Sequence, residues 1–370
     1  MSVDLLKDVP DSVKVLRPFA LDAARHLSIA GRYPAFLGRP DRWQSWRIGG
    51  VLAGLRLLRE AHFDAIWSTF PIATAHQIAA TLARRSRVPW IADFRDPMAQ
   101  DGYPEDPKTW RSFQKIEQAT LELAARSVFT TPGAAAHYRQ RYPAIPTERI
   151  GIVENGYDEN TFSAAGSWGG QPKPLDPQRC TLLHSGVVYP SERDPTQLIE
   201  ALALLKGQGA ISAGNFSLRF RASSHDGFIG EIAQAHGVSD LVQLLPPIPY
   251  RNALEEMLRA DGLLIMQASN CNAQIPAKLY EYLRARRPIL ALTDPVGDTA
   301  HVLRESGLSA IARLDSAPEI AELIRRFISP SGGAGGWIAS REVVESASRK
   351  ARTVELAKML NEVSGVKQVG

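Results

Sequence analysis

The sequence predicts an α/β protein with two Rossmann-like domains. Short apolar segments alternate with helical segments along most of the chain. The 370 residues are enough for two hydrophobic cores. A segment rich in Gly and Pro, residues 164–174, divides the alternating pattern into two halves. Because strands that alternate with helices pair in parallel, each half is expected to form a doubly wound sheet.

The composition is typical of a globular protein, with 44% hydrophobic and 22% charged residues. No apolar run approaches a membrane span, and residues 1–8 lack the features of a signal peptide. Two cysteines, Cys180 and Cys271, are too few for a disulfide framework, so a cytoplasmic location is predicted. The net charge of +4 permits an anionic ligand or a peripheral contact with anionic lipid at the inner membrane face. The sequence has no basic block with interleaved aromatics, so nucleic-acid binding is not predicted.

Residues 1–45 give the weakest pattern. Residues 13–17 are compatible with a short strand, and residues 17–27 with a partial helix. Residues 39–47 are dense in Arg and Trp. This segment is interpreted either as a packed loop with Arg stacked on Trp, or as a lip that faces the acceptor or a membrane.

The rest of the N-terminal half alternates regularly. Apolar spacing predicts helices at 51–61, 71–85, 110–125 and 133–141, and strands at 63–69, 88–97, 127–131 and 150–153. The strand at 88–97 runs into a charged loop with Asp93, Arg95 and Asp96. In such sheets, ligands bind beyond the carboxyl ends of the strands. An internal ion-pair network is the alternative, and two carboxylates are few for a magnesium site, so no metal is predicted.

The C-terminal half repeats the pattern. Strands are predicted at 180–186, 216–222, 241–245, 263–267, 289–292 and 308–313, and a helix at 194–205. The tail, residues 337–363, is predicted to be helical throughout. The predicted domains are therefore 1–163, a linker at 164–175, a second domain at 176–336, and a C-terminal helix within 337–370.

A short helix after the strand at 263–267 carries the main candidate site. Pro276 suits a first helical position, and Leu279 and Leu283 share one face that packs on the sheet. Lys278 and Glu281 lie on a neighbouring face near the helix start. The free N–H groups there and the Lys278 charge suit a phosphate, and Glu281 can accept hydroxyls from a ribose. A solvated Lys–Glu pair is the alternative interpretation.

The turn after the first strand of the second half is a second candidate. Gly186 lets a backbone approach a ligand closely, and Arg193 can offer a planar set of donors to a diphosphate. An ordinary turn with an exposed Arg is the alternative here. The isolated histidines His184, His225 and His301 receive no catalytic role, because none has a paired carboxylate in view.

Three motifs carry a resemblance to a known family. The segment Ile-Pro-Ala-Lys-Leu-Tyr-Glu-Tyr-Leu at 275–283, followed by Arg-Pro-Ile-Leu-Ala-Leu at 287–292, resembles the donor-site helix of the retaining, two-domain glycosyltransferases of family 4. Asn-Gly-Tyr-Asp at 155–158 with Phe162 resembles the signature before the family's linker. Trp-Ile-Ala-Asp-Phe-Arg-Asp-Pro at 90–97 resembles its cleft-facing loop.

The resemblance implies the GT-B fold, in which two Rossmann-like domains face across a cleft and the C-terminal helix crosses back to the N-terminal domain. It implies retaining transfer from a nucleotide diphosphate sugar to a glycan, lipid-linked or small-molecule acceptor in polysaccharide biosynthesis, without metal or cofactor. Arg95 falls where many relatives have a His that touches the donor sugar. The implied donor-binding residues are Gly186, Arg193, Gln274, Ile275, Lys278, Leu279 and Glu281, and the implied catalytic residues are Asp93, Arg95, Arg193 and Lys278.

The sequence also departs from the family pattern. Val187 stands where an Arg often follows the Gly, and Ala273 stands where many members have a sugar-binding Glu. The usual first strand and Gly-Gly loop are not evident, since Gly49-Gly50 is the only candidate and the resemblance begins near residue 60. These departures favour an alternative, a nucleotide-sugar-binding partner in polysaccharide assembly that has lost transfer. A sugar epimerase on the same fold is a third possibility, although it requires acid–base groups not identified here.

Overall fold

The computed structural model describes residues 9–29, 32–166, 172–329 and 336–365. Contacts between Cα atoms divide the chain into two compact units. The first comprises Met1–Phe129, Tyr138–Ile152 and Ala357–Gly370, and the second comprises Thr130–His137 and Val153–Leu356. Parts of the predicted linker (167–171) and of the Gly-rich segment before the tail (331–335), together with residues 1–8, lie outside the described residues.

The first unit is built on a parallel sheet of four strands. The strands follow the order β1-β2-β3-β4, with Ile66 paired to Trp90, Ile91 to Arg126 and Ser127 to Ile150. They are β1 (Ile66–Thr69), β2 (Trp90–Phe94), β3 (Arg126–Phe129) and β4 (Ile150–Ile152), as the alternation predicts. The accompanying helices are α1 (Ala23–His26), α2 (Trp46–Glu60), α3 (Ala73–Ser86), α4 (Pro107–Leu123) and α5 (Pro132–Arg141), of which α5 is shared with the second unit.

Helix α2 begins at Trp46, earlier than predicted, and contains Gly49 and Gly50, which were the candidate loop, as well as Gly54. A Cβ on Gly50 would lie 2.6 Å from Cδ1 of Ile78, and a Cβ on Gly54 would lie 2.5 Å from Cδ1 of Leu82. Both partners belong to α3, so the glycines permit close helix packing. Gly49-Gly50, the only candidate for the family's Gly-Gly loop, therefore lies inside a helix, where helix packing outweighs the low helix propensity of glycine.

The segment before α2 differs from two predictions. Residues 13–17 form no strand, and residues 17–27 contain only the four-residue helix α1. Within residues 39–47, Arg42 stacks over the Trp43 ring at 5.3 Å, which is the contact that the packed-loop interpretation predicts. Asp41 anchors this loop by accepting hydrogen bonds from the backbone N and the hydroxyl of Thr74 at 2.8 and 3.0 Å.

The second unit is built on a parallel sheet of six strands in the order β10-β9-β8-β5-β6-β7. The strands are β5 (Cys180–Ser185), β6 (Phe216–Arg221), β7 (Val242–Leu245), β8 (Gly262–Met266), β9 (Ile289–Leu292) and β10 (Ile311–Ala312). The helices are α6 (Glu159–Ala165), α7 (Thr196–Gly207), α8 (Asp226–Ala235), α9 (Tyr250–Arg259), α10 (Lys278–Ala285), α11 (Asp298–Glu305), α12 (Ala317–Ile328), α13 (Arg341–Ser346) and α14 (Arg349–Ser364).

Strand β8 shows why this sheet needs helices on both faces. All five of its residues are buried. Leu264 and Met266 pack into one hydrophobic cluster, whereas Leu263 and Ile265 pack into the other. A strand buried on both faces is characteristic of a doubly wound sheet, as predicted. None of the described helices has the length and the apolar character that a membrane span requires.

The tail was predicted to be helical throughout, but it forms two separate helices. The helices α13 and α14 are separated at Ala347-Ser348, where the segment around Tyr157 is docked. The Tyr157 N–H donates to the Ala347 carbonyl at 3.3 Å, and the Arg349 N–H donates to the Tyr157 carbonyl at 2.8 Å. These bonds use backbone groups that a continuous helix would pair internally. Helix α14 begins in the second unit and ends in the first.

Gly156 is the residue that makes this docking possible. A Cβ there would lie 2.8 Å from the Ala347 carbonyl oxygen and 2.9 Å from the Arg349 backbone N, and neither atom can rotate away. We therefore expect Gly156→Ala to lower the free energy of unfolding by about 1–3 kcal/mol, measured by urea denaturation. Gly227→Ala in α8 is the matched control, because its Cβ would meet nothing within 4 Å. Equal stability of the two variants would contradict the proposed constraint.

Candidate functional site

Helix α10 places the predicted polar pair at the edge of the second unit's core. The helix begins at Lys278, and Pro276 precedes it by two residues, in a turn closed by the Leu279 N–H on the Pro276 carbonyl at 2.9 Å. Leu279 and Leu283 are buried, as their spacing predicts. Lys278 and Glu281 are partly exposed on the neighbouring face.

Lys278 is held by a histidine that the sequence did not identify as part of the site. Its Nζ lies 3.1 Å from Nε2 of His184, which is fully buried on β5. The other ring nitrogen, Nδ1, lies 2.9 Å from the Leu264 carbonyl oxygen. Because a carbonyl only accepts, Nδ1 carries the proton, and Nε2 accepts from Lys278. Burial lowers the pKa of His184 well below its usual value, which keeps the ring neutral.

The ammonium group of Lys278 is in an electrostatically unfavourable place. Burial and, to a smaller extent, the nearby Arg193 lower the pKa of Lys278 to about 7, while Glu281 partly opposes this shift. A buried cation beside a second cation gains from a bound anion that would neutralise both charges. This feature distinguishes Lys278 from the solvated Lys–Glu pair that was the alternative interpretation.

Gly186 and Arg193 complete the cationic turn. Gly186 has φ +113°, a left-handed conformation, and a Cβ on it would lie 3.1 Å from Nζ of Lys278. Arg193 stacks over the Tyr189 ring at 5.4 Å and donates from Nη1 to the Val187 carbonyl at 3.1 Å. Its other terminal nitrogen, Nη2, lies 3.7 Å from a carboxylate oxygen of Glu192. Its buried Nε has no hydrogen-bond partner within the described part of the chain. The three residues predicted to contact a diphosphate therefore converge, although Arg193 is only 18% exposed rather than on an open turn.

Val187 stands where many family members have an Arg that contacts phosphate, and Arg221 at the end of β6 is a nearby residue that could replace that contact. Its guanidinium instead forms a two-point pair with Glu256, with both N–O distances 2.8 Å, and donates to the Pro246 carbonyl. These internal partners occupy the donors that a phosphate would need.

Glu281 is paired with a tyrosine rather than with Lys278. The Tyr250 hydroxyl donates to Oε1 of Glu281 at 2.6 Å. Burial raises the pKa of Glu281, and the Tyr250 bond, Arg349 and Lys278 counteract that rise. Tyr250 is 47% exposed at the first position of α9. No sequence pattern joins Tyr250 to Glu281, because 31 residues separate them.

The loop before α10 is fixed through its backbone. Buried Gln267 donates from Nε2 to the carbonyls of Cys271 and Gln274 at 2.8 and 2.9 Å. The Ala273 carbonyl accepts from the Thr131 hydroxyl at 2.7 Å. The Gln274 side chain is exposed, whereas the Ile275 side chain is buried in the core. Gln274 is thus available to a ligand through its side chain, and Ile275 only through its backbone.

Asp93 and Arg95 lie in the first unit, at and just beyond the carboxyl end of β2. The Thr69 hydroxyl donates to Oδ2 of Asp93 at 2.9 Å. Burial raises the pKa of Asp93, while the Thr69 bond and Arg95 lower it and Asp96 raises it. Arg95 and Asp96 are exposed. Within the described ranges, no three His, Cys, Asp or Glu side chains gather as a metal site would require.

A buried carboxylate supports the loop after Asp93. Glu117 on α4 is fully buried, accepts from the Ala99 N–H at 3.1 Å, and is bonded to the Tyr138 hydroxyl. The Tyr138 hydroxyl in turn accepts from the Met98 N–H at 2.9 Å. Arg141 lies 3.4 Å from Glu117 and donates to the Ala99 carbonyl. Three side chains distant in sequence therefore determine the path of this loop.

The pKa of Lys278 predicts a pH-dependent cost of folding. Below pH 7 the lysine is charged in both the folded and the unfolded chain. Above about pH 7 the folded chain releases the proton, whereas the unfolded chain keeps it until about pH 10.4. The unfolded chain therefore binds more protons in this range, and the unfolding free energy contributed by Lys278 rises with pH.

We expect the unfolding free energy of wild type, minus that of Lys278→Met, to increase from pH 7 to pH 9.5 by about 1 kcal/mol or more in urea titrations. Lys206→Met, at an exposed ion pair with Asp240, is the matched substitution outside the site. A difference for Lys278→Met that stays constant over this range would contradict the lowered pKa.

Residues 12–156 match the family described as Glycosyl transferase 4-like domain. This match confirms the family resemblance for the N-terminal part of the chain. It also begins at residue 12, so the prediction that the resemblance starts near residue 60 was wrong. The altered front segment belongs to the matched domain, although it forms no strand among its described residues. No curated protein matches the chain in sequence.

Solved structures are similar in fold at low identity. Anabaena HepE in complex with UDP and glucose has a TM-score of 0.60 at 14% identity, covering 84% of this chain and 81% of that one. Sucrose-phosphate synthase from Thermosynechococcus elongatus has a TM-score of 0.63 at 13% identity, covering 93% and 82%. The α,α-trehalose 6-phosphate synthase from Burkholderia multivorans has a TM-score of 0.62 at 12% identity, covering 90% and 77%. The predicted GT-B fold is confirmed.

Proposed function

We propose that this GT-B chain, with its glycosyl transferase 4-like domain, is a retaining glycosyltransferase that uses a UDP-sugar donor. The cluster of Gly186, Lys278 and Arg193 is the observation that carries the proposal. The Lys278 ammonium lies beside Gly186, which has no side chain, and close enough to Arg193 for the two charges to interact. HepE, which shares the fold, is described in complexes with UDP and glucose and with UDP-glucose. UDP is therefore the first nucleotide to test.

The diphosphate is proposed to bind between Lys278 and Arg193. Neutral His184 fixes the Lys278 ammonium through one of its three N–H bonds, which leaves two for phosphate oxygens. The unpaired Nε–H of Arg193 supplies another donor. Charge accumulates on the diphosphate as the glycosidic bond breaks, and positioned cations stabilise that charge most strongly in the transition state. The proposed mechanism needs no metal ion and no cofactor.

The ribose is proposed to bind at Glu281. One carboxylate oxygen already accepts from Tyr250, and the remaining acceptor positions can take ribose hydroxyls. Tyr250 would hold the carboxylate orientation, which makes it a positioning residue. Leu279 supports this arrangement from the core, since its burial fixes the rotation of α10. The exposed Gln274 side chain and the backbone of Ile275 are proposed contacts to the sugar.

The sugar transfer itself is proposed to retain the anomeric configuration. The bond between the anomeric carbon and the diphosphate oxygen breaks, and a bond from that carbon to the acceptor oxygen forms on the same face. The acceptor proton passes to the departing diphosphate oxygen, so no separate enzyme nucleophile is required. Asp93 and Arg95 are proposed to contact the sugar and the acceptor from the first unit. A glycan, a lipid-linked sugar or a small molecule remains the proposed range of acceptors.

A cytoplasmic role in polysaccharide biosynthesis completes the proposal. Both cysteines, Cys180 and Cys271, are free thiols, which is compatible with a reducing compartment. The second candidate function is nucleotide-sugar binding without transfer. It is favoured by Ala273, which provides no carboxylate to the donor sugar and whose carbonyl is already bonded to Thr131.

Nucleotide binding can be tested by thermal unfolding. We expect UDP to raise the unfolding temperature of wild type by a few degrees in EDTA, with no further rise in magnesium. A ligand present at 100 times its Kd adds about 2.7 kcal/mol of stability. Lys278→Ala/Glu281→Ala is expected to show no shift, because it lacks the proposed diphosphate and ribose contacts.

ADP, GDP and dTDP serve as comparison nucleotides in the same titration, and Lys206→Ala is the control variant with an intact site. Equal shifts in the double variant and wild type would place nucleotide binding elsewhere. A shift that requires magnesium would refute the metal-independent site.

Transfer can be tested with UDP-glucose as the donor probe and a panel of sugar and lipid-linked acceptors. We expect product with the donor's anomeric configuration, read from proton NMR coupling constants. Arg193→Gln is expected to lower kcat about 100-fold or more, because it removes charge stabilisation at the leaving group. An inverted product would refute retention. UDP binding without consumption of any tested UDP-sugar would favour the binding-only function.

A further inference from the structure

The first unit exposes an apolar surface that the proposed chemistry does not use. We define the α2 surface as Leu16, Phe19, Phe36, Ile48 and Leu52. Ile48 and Leu52 are four residues apart on α2 and are 71% and 65% exposed, while Phe19 and Phe36 are 70% and 65% exposed. The opposite face of α2 packs on α3 through its glycines, so α2 turns large side chains away from its own core.

These side chains are neighbours in space. Leu52 and Leu16 line one cavity of about 540 Å³. Ile48 and Phe36 line a second cavity of about 590 Å³. Because Ile48 and Leu52 are one helical turn apart, the two cavities adjoin along α2. Phe19 lies beside α2 as well, since its backbone oxygen would be 2.5 Å from a Cβ on Gly49. The apolar residues therefore form one patch rather than scattered exposures.

The same segment is strongly basic. Residues 9–60 contain nine Lys and Arg against four Asp and Glu, whereas the whole chain has a net charge of only +4. Arg17 lines the first cavity and Arg47 the second, and both are exposed. Neither has an ion-pair or side-chain hydrogen-bond partner in the described ranges.

The four acidic residues leave this segment with a net charge of +5, because nine basic residues oppose them. Asp22 lies 3.5 Å from Arg42, Glu60 is paired with Arg56, and Asp41 is bonded to Thr74. Only Asp11 remains, and it lies at the far end of the segment. The rim of the α2 surface is therefore a source of positive potential around apolar side chains.

We propose that the α2 surface docks this protein on an anionic lipid bilayer. Apolar side chains with basic neighbours match the boundary between acyl chains and negatively charged headgroups. A symmetric pairing of two copies would instead bring two basic rims together, which like-charge repulsion opposes. Because basic residues contribute to attachment only near the anionic surface, the attachment is expected to be reversible and sensitive to salt.

The proposal is independent of sugar transfer and is tested without any donor. The full chain is sedimented with vesicles of phosphatidylcholine alone or with about one-third phosphatidylserine, a content that makes the surface anionic. We expect binding only to the anionic vesicles, with loss of binding as salt is raised.

Two variants separate the apolar and the charged contributions. Ile48→Ser/Leu52→Ser and Arg17→Gln/Arg47→Gln are each expected to weaken vesicle binding at least tenfold. Val296→Ser and Arg251→Gln, at exposed positions of the second unit, are the matched controls and are expected to bind as wild type does. Thermal unfolding of each variant establishes that it is folded.

Three results would overturn the proposal. The first is equal binding to neutral and anionic vesicles. The second is unchanged binding by both double variants while folded. The third is a concentration-dependent dimer in solution that Ile48→Ser/Leu52→Ser abolishes, since the patch would then be an interface between copies. Displacement from vesicles by the phosphatidylserine headgroup analogue glycerophosphoserine would not be expected, because a soluble headgroup lacks the apolar contact.

Discussion

The candidate site depends on the contact between Lys278 and a neutral histidine. His184 is fixed on β5 by the Leu264 carbonyl of the adjacent strand, so its acceptor nitrogen always faces α10. The buried ammonium is thereby oriented but not neutralised, and its charge remains available to an anion. Had a carboxylate occupied the place of His184, the pair would be electrically complete and would have less affinity for a diphosphate.

Two further constraints act on the same point. Gly186 leaves room for the ammonium because it has no Cβ, and the Tyr189 ring and the Val187 carbonyl hold Arg193 nearby. Repulsion between the two cations opposes folding, and the hydrophobic packing of the second unit offsets it. Preorganised, mutually repelling donors are effective in phosphate chemistry because they need little rearrangement when charge develops on the substrate.

The two units differ in which surfaces they bury and which they leave exposed. The second unit buries both faces of its sheet and concentrates its charges in one turn, which favours a rigid ligand site. The first unit supports its loop after Asp93 with the buried Glu117 network, yet leaves the α2 surface uncovered. The proposed sugar-transfer site and an apolar, basic exterior are compatible in one chain because different elements provide them.

The sequence alone determined the α/β class, the positions of the ten strands along the chain, and helix α10, because hydrophobic periodicity is a local property. It also singled out Gly186, Arg193, Lys278 and Glu281, through their spacing together with the resemblance to the donor-site motifs of family 4. Only the tertiary structure joined His184 to Lys278 and Tyr250 to Glu281, since 94 and 31 residues separate these partners. It also placed Gly49 and Gly50 inside a helix and broke the tail at Ala347-Ser348. Packing between distant segments decided these features, and a local pattern carries no information about a distant surface.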